Sequence, residues 1–288
     1  MKEEVLEDIE MAANDHGESH WMVDRRLNAA KSITSLPAGF EIDKLNFKRS
    51  NKDLAKITDE PGIKVVQLGQ KIIKNELPDE LDDKGVVLTD IFTALREHPR
   101  LIQRYFMDKV INYDESNLTR YHLAMINSGI FLYIPKGIKI DQPIVAQIIQ
   151  DSTVKNPMVS HILIVAEEDS QVTFKQTSIT VGDESNIVQP FVEILTRAKS
   201  IVHYQSKDKY AKNSQVFFDN QGFLNRESQI DWDISIQNED KTVGKIVNNL
   251  FGSNSTANVN LDSKNKNNEI DLSVKKHGKD VNYSETII

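Results

Sequence analysis

From Ile130 onward the chain is made of short alternating strands set apart by the same small polar turn, and this recurrence constrains its fold more than any other feature. Apolar side chains fall at every second position in Ile230, Trp232, Ile234 and Ile236, again in Ala257, Val259 and Leu261, and again in Ile270, Leu272 and Val274. A period of two puts each set on one face of a strand. The turns Asp169-Ser170, Lys199-Ser200, Glu227-Ser228 and Asn254-Ser255 fall between strands, so a turn-then-strand unit returns about every 27 to 30 residues. Repeats of that length mark a solenoid, in which neighbouring units stack to bury a core that none could bury alone. A β-sandwich also has many short strands, but its hairpins prefer Asn-Gly or Asp-Gly turns, and neither dipeptide occurs in this sequence. The expected fold is mainly β, a right-handed parallel β-helix (β-solenoid) over residues 127–288.

Residues 1–126 have a different texture and are expected to form a helical, partly mixed N-terminal region. Val5 to Ala13 is helical in composition, and Trp21 to Ile33 carries Met22, Ala29, Ala30 and Ile33 at near-helical spacing with charges between them. Leu36-Pro37-Ala38-Gly39 closes that segment with turn chemistry, and Phe40 to Leu81 has no clean period. Thr89 or Asp90 can cap a helix running through Leu95, while Pro99 suits the first turn of a second helix carrying Leu101, Ile102, Tyr105, Phe106 and Val110. That stripe reads as core.

With 288 residues the chain needs no covalent staple, and it has no Cys, which removes disulfides, thiolate nucleophiles and cysteine ligation of zinc or iron-sulfur clusters. A net charge of −8 disfavours nucleic-acid binding, since the basic clusters at Lys207 to Lys212 and Lys275-Lys276 are short and interleaved with acidic and polar residues. No apolar run approaches the roughly 20 residues of a membrane helix, and the charged start lacks the apolar stretch of an export signal. A cytoplasmic location is expected.

Few residues offer chemistry. Asp231 and Asp233 lie two apart on one strand and share a face, so they could hold a cation or act as acid and base, but a solvated polar face explains them more simply. A carbohydrate-active β-helix would repeat such carboxylates across several rungs, and this pair supplies one. The histidines His16, His20, His98, His122, His161, His203 and His277 never take the paired spacings of a metal site. His203 falls within a strand, and His277, before Gly278, is expected to be the more accessible. Nucleotide-binding and hydrolase motifs are absent, so no catalytic, cofactor-binding or metal-ligating residue is assigned.

Two stretches resemble one family. They are Glu18-Ser19-His20-Trp21-Met22-Val23-Asp24-Arg25-Arg26-Leu27-Asn28-Ala29 and Asn127-Ser128-Gly129-Ile130-Phe131-Leu132-Tyr133-Ile134-Pro135-Lys136-Gly137, followed by the serine-punctuated strands. Together they resemble the SufB/SufD family of the SUF iron-sulfur cluster assembly system, and the lack of a longer N-terminal region and of internal cysteines resembles its SufD type. In the second stretch Phe131 and Tyr133 alternate into a strand, Pro135 ends it, and Gly137 permits a tight corner before Ile138 and Ile140 begin the next strand.

The resemblance implies a non-catalytic scaffold subunit working with a SufB-like paralogue and a SufC-like ATPase. The ATPase is gripped by a C-terminal helical domain that these residues do not include. No cofactor is expected on this chain alone, and an iron-sulfur cluster is built transiently on the full complex. The sequence stops at Ile287-Ile288 in what reads as strand, which suggests a C-terminally truncated chain and a possible homodimer through the open end. A cytosolic carbohydrate-active β-helix and a generic adaptor solenoid are the alternatives.

Overall fold

A computed structural model describes residues 3–38, 40 and 50–288. Among the described residues the α-helices are α1 (Glu3–Asp15), α2 (His20–Lys31), α3 (Asp79–Asp83), α4 (Ile91–Glu97), α5 (Pro99–Tyr105) and α6 (Asn117–Met125). The strands before the repeats are β1 (Ile63–Leu68), β2 (Lys71–Asn75) and β3 (Val87–Asp90). The rest are β4 (Ser128–Ile134), β5 (Ile144–Asp151), β6 (Met158–Ala166), β7 (Gln171–Val181), β8 (Asn186–Thr196), β9 (Ile201–Lys209), β10 (Ser214–Leu224), β11 (Gln229–Ile236), β12 (Thr242–Leu250), β13 (Thr256–Ser263), β14 (Glu269–Lys276) and β15 (Asn282–Ile287). No described helix is long and apolar enough to cross a membrane.

The strands stack as a parallel β-solenoid with two sheets. One runs β15-β13-β11-β9-β7-β5-β1-β2 and the other β14-β12-β10-β8-β6-β4-β3. Each rung contributes one strand to each sheet; Ile230, Trp232, Ile234 and Ile236 face inward as their alternation predicts, and Phe174, Tyr204 and Trp232 stand in one register column. Trp232 is wholly buried and donates its indole N–H to Asn248 Oδ1 at 2.9 Å, which satisfies the one polar atom it brings into the core.

The serine turns are the corners of the rungs. Asp169, Lys199, Glu227, Asn254 and Asp280 each take positive φ, between 55° and 62°. The serines after the first four are buried and fold their hydroxyls back onto the carbonyl three residues earlier, Ser170 to Glu167 at 2.6 Å, Ser200 to Arg197 at 2.8 Å, Ser228 to Asn225 at 2.8 Å and Ser255 to Gly252 at 2.7 Å. The left-handed residue donates its own N–H to the next rung, as Lys199 does to Arg226 O at 2.9 Å. Local turn chemistry and rung-to-rung pairing therefore meet at the same two residues. Replacing Ser200 by alanine is expected to lower stability by about 1 kcal/mol in urea denaturation, the worth of one such bond. An unchanged midpoint would show that the corner gains nothing from it.

The N-terminal region packs as a helical layer on the outer face of the sheet containing β4, β6 and β8. Phe131, Val159, Leu163, Phe191 and Leu195 point outward into a second apolar cluster with Met22, Ile102, Tyr105, Phe106 and Tyr121. Those three strands are consequently buried on both faces, whereas β7, β9 and β11 alternate buried with half-exposed residues. Asp90 caps α4, accepting from the N–H groups of Phe92 and Thr93 at 3.1 and 2.9 Å, and Pro99 opens α5, as the sequence predicts. Ile102, Tyr105 and Phe106 are core, with Leu101 and Val110 packed against them.

Two expectations are corrected. The mixed stretch from Phe40 to Leu81 contributes β1 and β2, a hairpin whose first strand pairs in parallel with β5, so the sheets begin well before Asn127. The early part of that stretch, and Gly39 of the expected turn, lie outside the described residues. Ile138 and Ile140 do not begin the next strand. They lie in the connection that follows Gly137, whose φ is 76°, and the strand starts at Ile144, after Asp141-Gln142-Pro143 has turned the chain.

Candidate functional site

Asp231 and Asp233 stand side by side on the outer, uncovered face of β11, as their spacing requires. Parallel pairing aligns Asp231 with His203 on β9 and Asn258 on β13, and Asp233 with Gln205 and Asn260. The result is a polar ladder across rungs, lining a shallow groove with Thr173 and Ser284. His203 Nδ1 lies 2.6 Å from Asp231 Oδ2. Asn258 donates to Asp231 Oδ1 at 2.7 Å, Gln229 reaches both of its oxygens at 3.0 and 2.8 Å, and Asn260 donates to Asp233 Oδ1 at 2.8 Å. The carboxylates are thus engaged by neighbouring rungs, which is the behaviour of a hydrogen-bonded polar face. His203 joins this pair through rung register, which no spacing along the chain reveals. Among the described residues no group of three or more His, Asp or Glu side chains is arranged to hold a metal ion.

His277 is exposed at the corner after β14, its ring 6.2 Å from that of Phe251. It has no place in the ladder.

The most concentrated polar chemistry lies under the helical layer. Arg26 on α2 is fully buried, pairs with Glu18, and donates to the carbonyls of Ala124 at 3.0 Å and Ile126 at 3.2 Å, at the end of α6. Arg25 beside it donates to the carbonyls of Phe106 at 3.2 Å and Met107 at 2.7 Å, and burial lowers its pKa from the ordinary guanidinium value. The stretch from Glu18 to Ala29 is therefore a clamp joining α2 to α6 and to the turn after α5. Deeper still, His122, His161 and Glu193 lie in line at the contact with β6 and β8, all fully buried. No sequence spacing links these three. The available signal is a single Glu in the apolar run Phe191 to Leu195 and a single His in Met158 to Ala166, each a polar residue in a strand buried on both faces.

One further buried acid, Asp219, joins the solenoid to this layer. Burial pushes its carboxyl up to about 7, against the pull of Lys245 at 3.3 Å, and Lys245 continues to Glu115 at 2.7 Å.

Comparison with known proteins places this architecture. A family model described as SufBD protein N-terminal region matches residues 61–148, and one described as SUF system FeS cluster assembly, SufBD core domain, matches residues 148–279. The chain belongs to the SufB/SufD family. It is 31% identical over 262 residues to iron-sulfur cluster assembly protein SufD of Bacillus subtilis, covering 82% of this chain and 60% of that protein. It is 24% identical to an iron-sulfur cluster assembly SufBD family protein of Staphylococcus haemolyticus over 246 residues, 75% of this chain and 52% of the relative. The chain thus spans little more than half the length of the relatives it matches.

Proposed function

We propose that this chain is a SufD-type scaffold subunit of the SUF iron-sulfur cluster assembly machinery, acting in the cytoplasm with a SufB-like paralogue and a SufC-like ATPase. The observation that carries this reading is the likeness to SufD over 82% of the chain. The chemistry of the chain is in keeping with it. A sequence without Cys offers no thiolate for sulfur or iron, so the cluster is cargo built on the complex and the chain's own part is to hold shape. The carboxylates of the exposed face are tied into a ladder across rungs, which suits a structural surface better than acid-base catalysis. ATP hydrolysis belongs to the partner.

The test is co-expression of the full-length gene product with SufB-like and SufC-like partners, followed by pull-down and assay of iron and acid-labile sulfide. A ternary complex that acquires both is the expected result. A protein recovered alone and free of iron would overturn the scaffold reading and turn attention to glycan binding along the ladder of Asp231 and Asp233.

A further inference from the structure

Where the helical layer meets the solenoid, four buried side chains form one file of hydrogen bonds. His122 Nδ1 on α6 lies 3.2 Å from Gln189 Oε1 on β8. His122 Nε2 lies 3.1 Å from His161 Nδ1 on β6, and His161 Nε2 lies 3.0 Å from Glu193 Oε2 on β8. Each of the four is fully removed from solvent.

Both ends of this file are acceptors. Gln189 is oriented by its own amide N–H, which donates to Leu118 O at 3.2 Å and so leaves the oxygen facing His122. Glu193 accepts the backbone N–H groups of Met107 at 2.8 Å and Ile111 at 2.7 Å, one on each oxygen, so both oxygens act as acceptors. Three hydrogen bonds strung between two acceptors need three protons. Two neutral imidazoles carry one N–H each and supply two.

We infer that the file is a buried proton-binding site, holding one proton beyond those of two neutral rings and seating it on His161 as an imidazolium between Glu193 and His122. His161 then donates from both nitrogens, to Glu193 Oε2 and to His122 Nε2. His122 stays neutral, accepting at Nε2 and donating from Nδ1 to Gln189. Burial, reinforced by the neighbouring His161, pushes the His122 imidazole well below its ordinary range, in keeping with a ring that remains neutral. The face of Phe191 stacks on His122 at 3.8 Å and the edge of Phe106 meets His161 at 4.7 Å, which closes the file to water.

The other charges facing this site come from α2 and from the turn after α5. Arg25 approaches Glu193 while binding the carbonyls of Phe106 and Met107, and Asp108 faces Arg25 in turn. Glu193 therefore sits between two cations, one from each side of the contact. The bound proton completes a chain linking α6, the Met107 to Ile111 turn, β6 and β8. Without it one of the three bonds becomes a contact between two acceptors, so docking of the helical layer is linked to proton uptake.

The test is nitrogen NMR of the intact protein labelled with 15N-histidine at pH 7.5, the two rings being assigned through their contacts with Phe106 and Phe191. The expected spectrum has both nitrogens of His161 protonated and His122 as the Nδ1–H tautomer. Q189L removes one terminal acceptor, so two protons then suffice. In that variant His122 is expected to switch to the Nε2–H tautomer and His161 to become neutral. Two neutral rings in the wild-type protein, or a Q189L protein that keeps the wild-type pattern, would overturn the inference. Should Q189L fail to fold, the wild-type spectrum alone decides.

Discussion

Replacing Arg26 with alanine is expected to cost roughly 3–5 kcal/mol of stability, the effect of stranding one member of a buried ion pair. Arg26 and Glu18 are each without solvent exposure at their side chains, and the guanidinium is the partner that neutralises the carboxylate. The same group serves the end of α6, where the last carbonyls have no partner within the helix. It donates from two nitrogens to Ala124 O and from one of them to Ile126 O, placing a cation at the negative end of that helix. Truncation would leave a buried anion facing just the imidazole of His16 at 3.6 Å, with two buried carbonyls unpaired beside it. Paired replacement of Glu18 and Arg26 by methionine removes the stranded charge and should recover much of the loss, while the carbonyls remain unserved. Thermal and urea denaturation of the single and double variants measure this directly. An Arg26→Ala protein within 1 kcal/mol of wild type would mean that water reaches Glu18 and that the clamp contributes little.

The same residues show how far sequence alone could reach. The Glu18 to Ala29 stretch is legible as a family phrase, but its physical role is not, because Arg26 acts on carbonyls about a hundred residues away. The rung corners are the opposite case. A left-handed residue followed by serine is a local device, and four of its copies could be read directly from Asp169, Lys199, Glu227 and Asn254. The hairpin of β1 and β2 escaped because Ile63, Val65, Val66 and Leu68 are all buried, so the strand has no period of two to betray it. Asp231 and Asp233 were visible as sharing a face, whereas their partners His203, Asn258 and Asn260 depend on rung register. The file from His122 to Glu193 joins elements 39 and 32 residues apart at each step and has no sequence pattern at all.

Substituting Asp208 with asparagine is expected to stabilise the protein by about 3 kcal/mol at pH 8 and by only about 0.5 kcal/mol at pH 4. On β9 the inward positions run Val202, Tyr204, Ser206 and Asp208, so the strand's alternation carries an ionisable group into the solenoid interior. Its neighbours are polar but neutral: Tyr204 donates to Gln176 Oε1 at 2.7 Å, and Gln176 donates to Ser178 at 2.8 Å. Burial pushes the Asp208 carboxyl up to about 6 from an ordinary value of 3.8, although hydrogen bonds from Ser178 and Gln176 pull the other way. Well below pH 3.8 the carboxyl is protonated in the folded and unfolded chains alike, and folding carries no penalty for it. Between about 4 and 6 the unfolded chain ionises first, so stability falls as pH rises, and above the folded value the full loss is in place. A difference of about two pH units corresponds to about 3 kcal/mol. Asparagine keeps the shape and never ionises, so its advantage should grow over that same interval. Asp219 makes a poorer probe, because its exchange for asparagine also breaks the pair with Lys245. Denaturation midpoints of wild-type and Asp208→Asn proteins at pH 4, 6 and 8 give the curve. A gap that stays constant across the three would place the carboxylate in water and remove the buried acid from the interior of the solenoid.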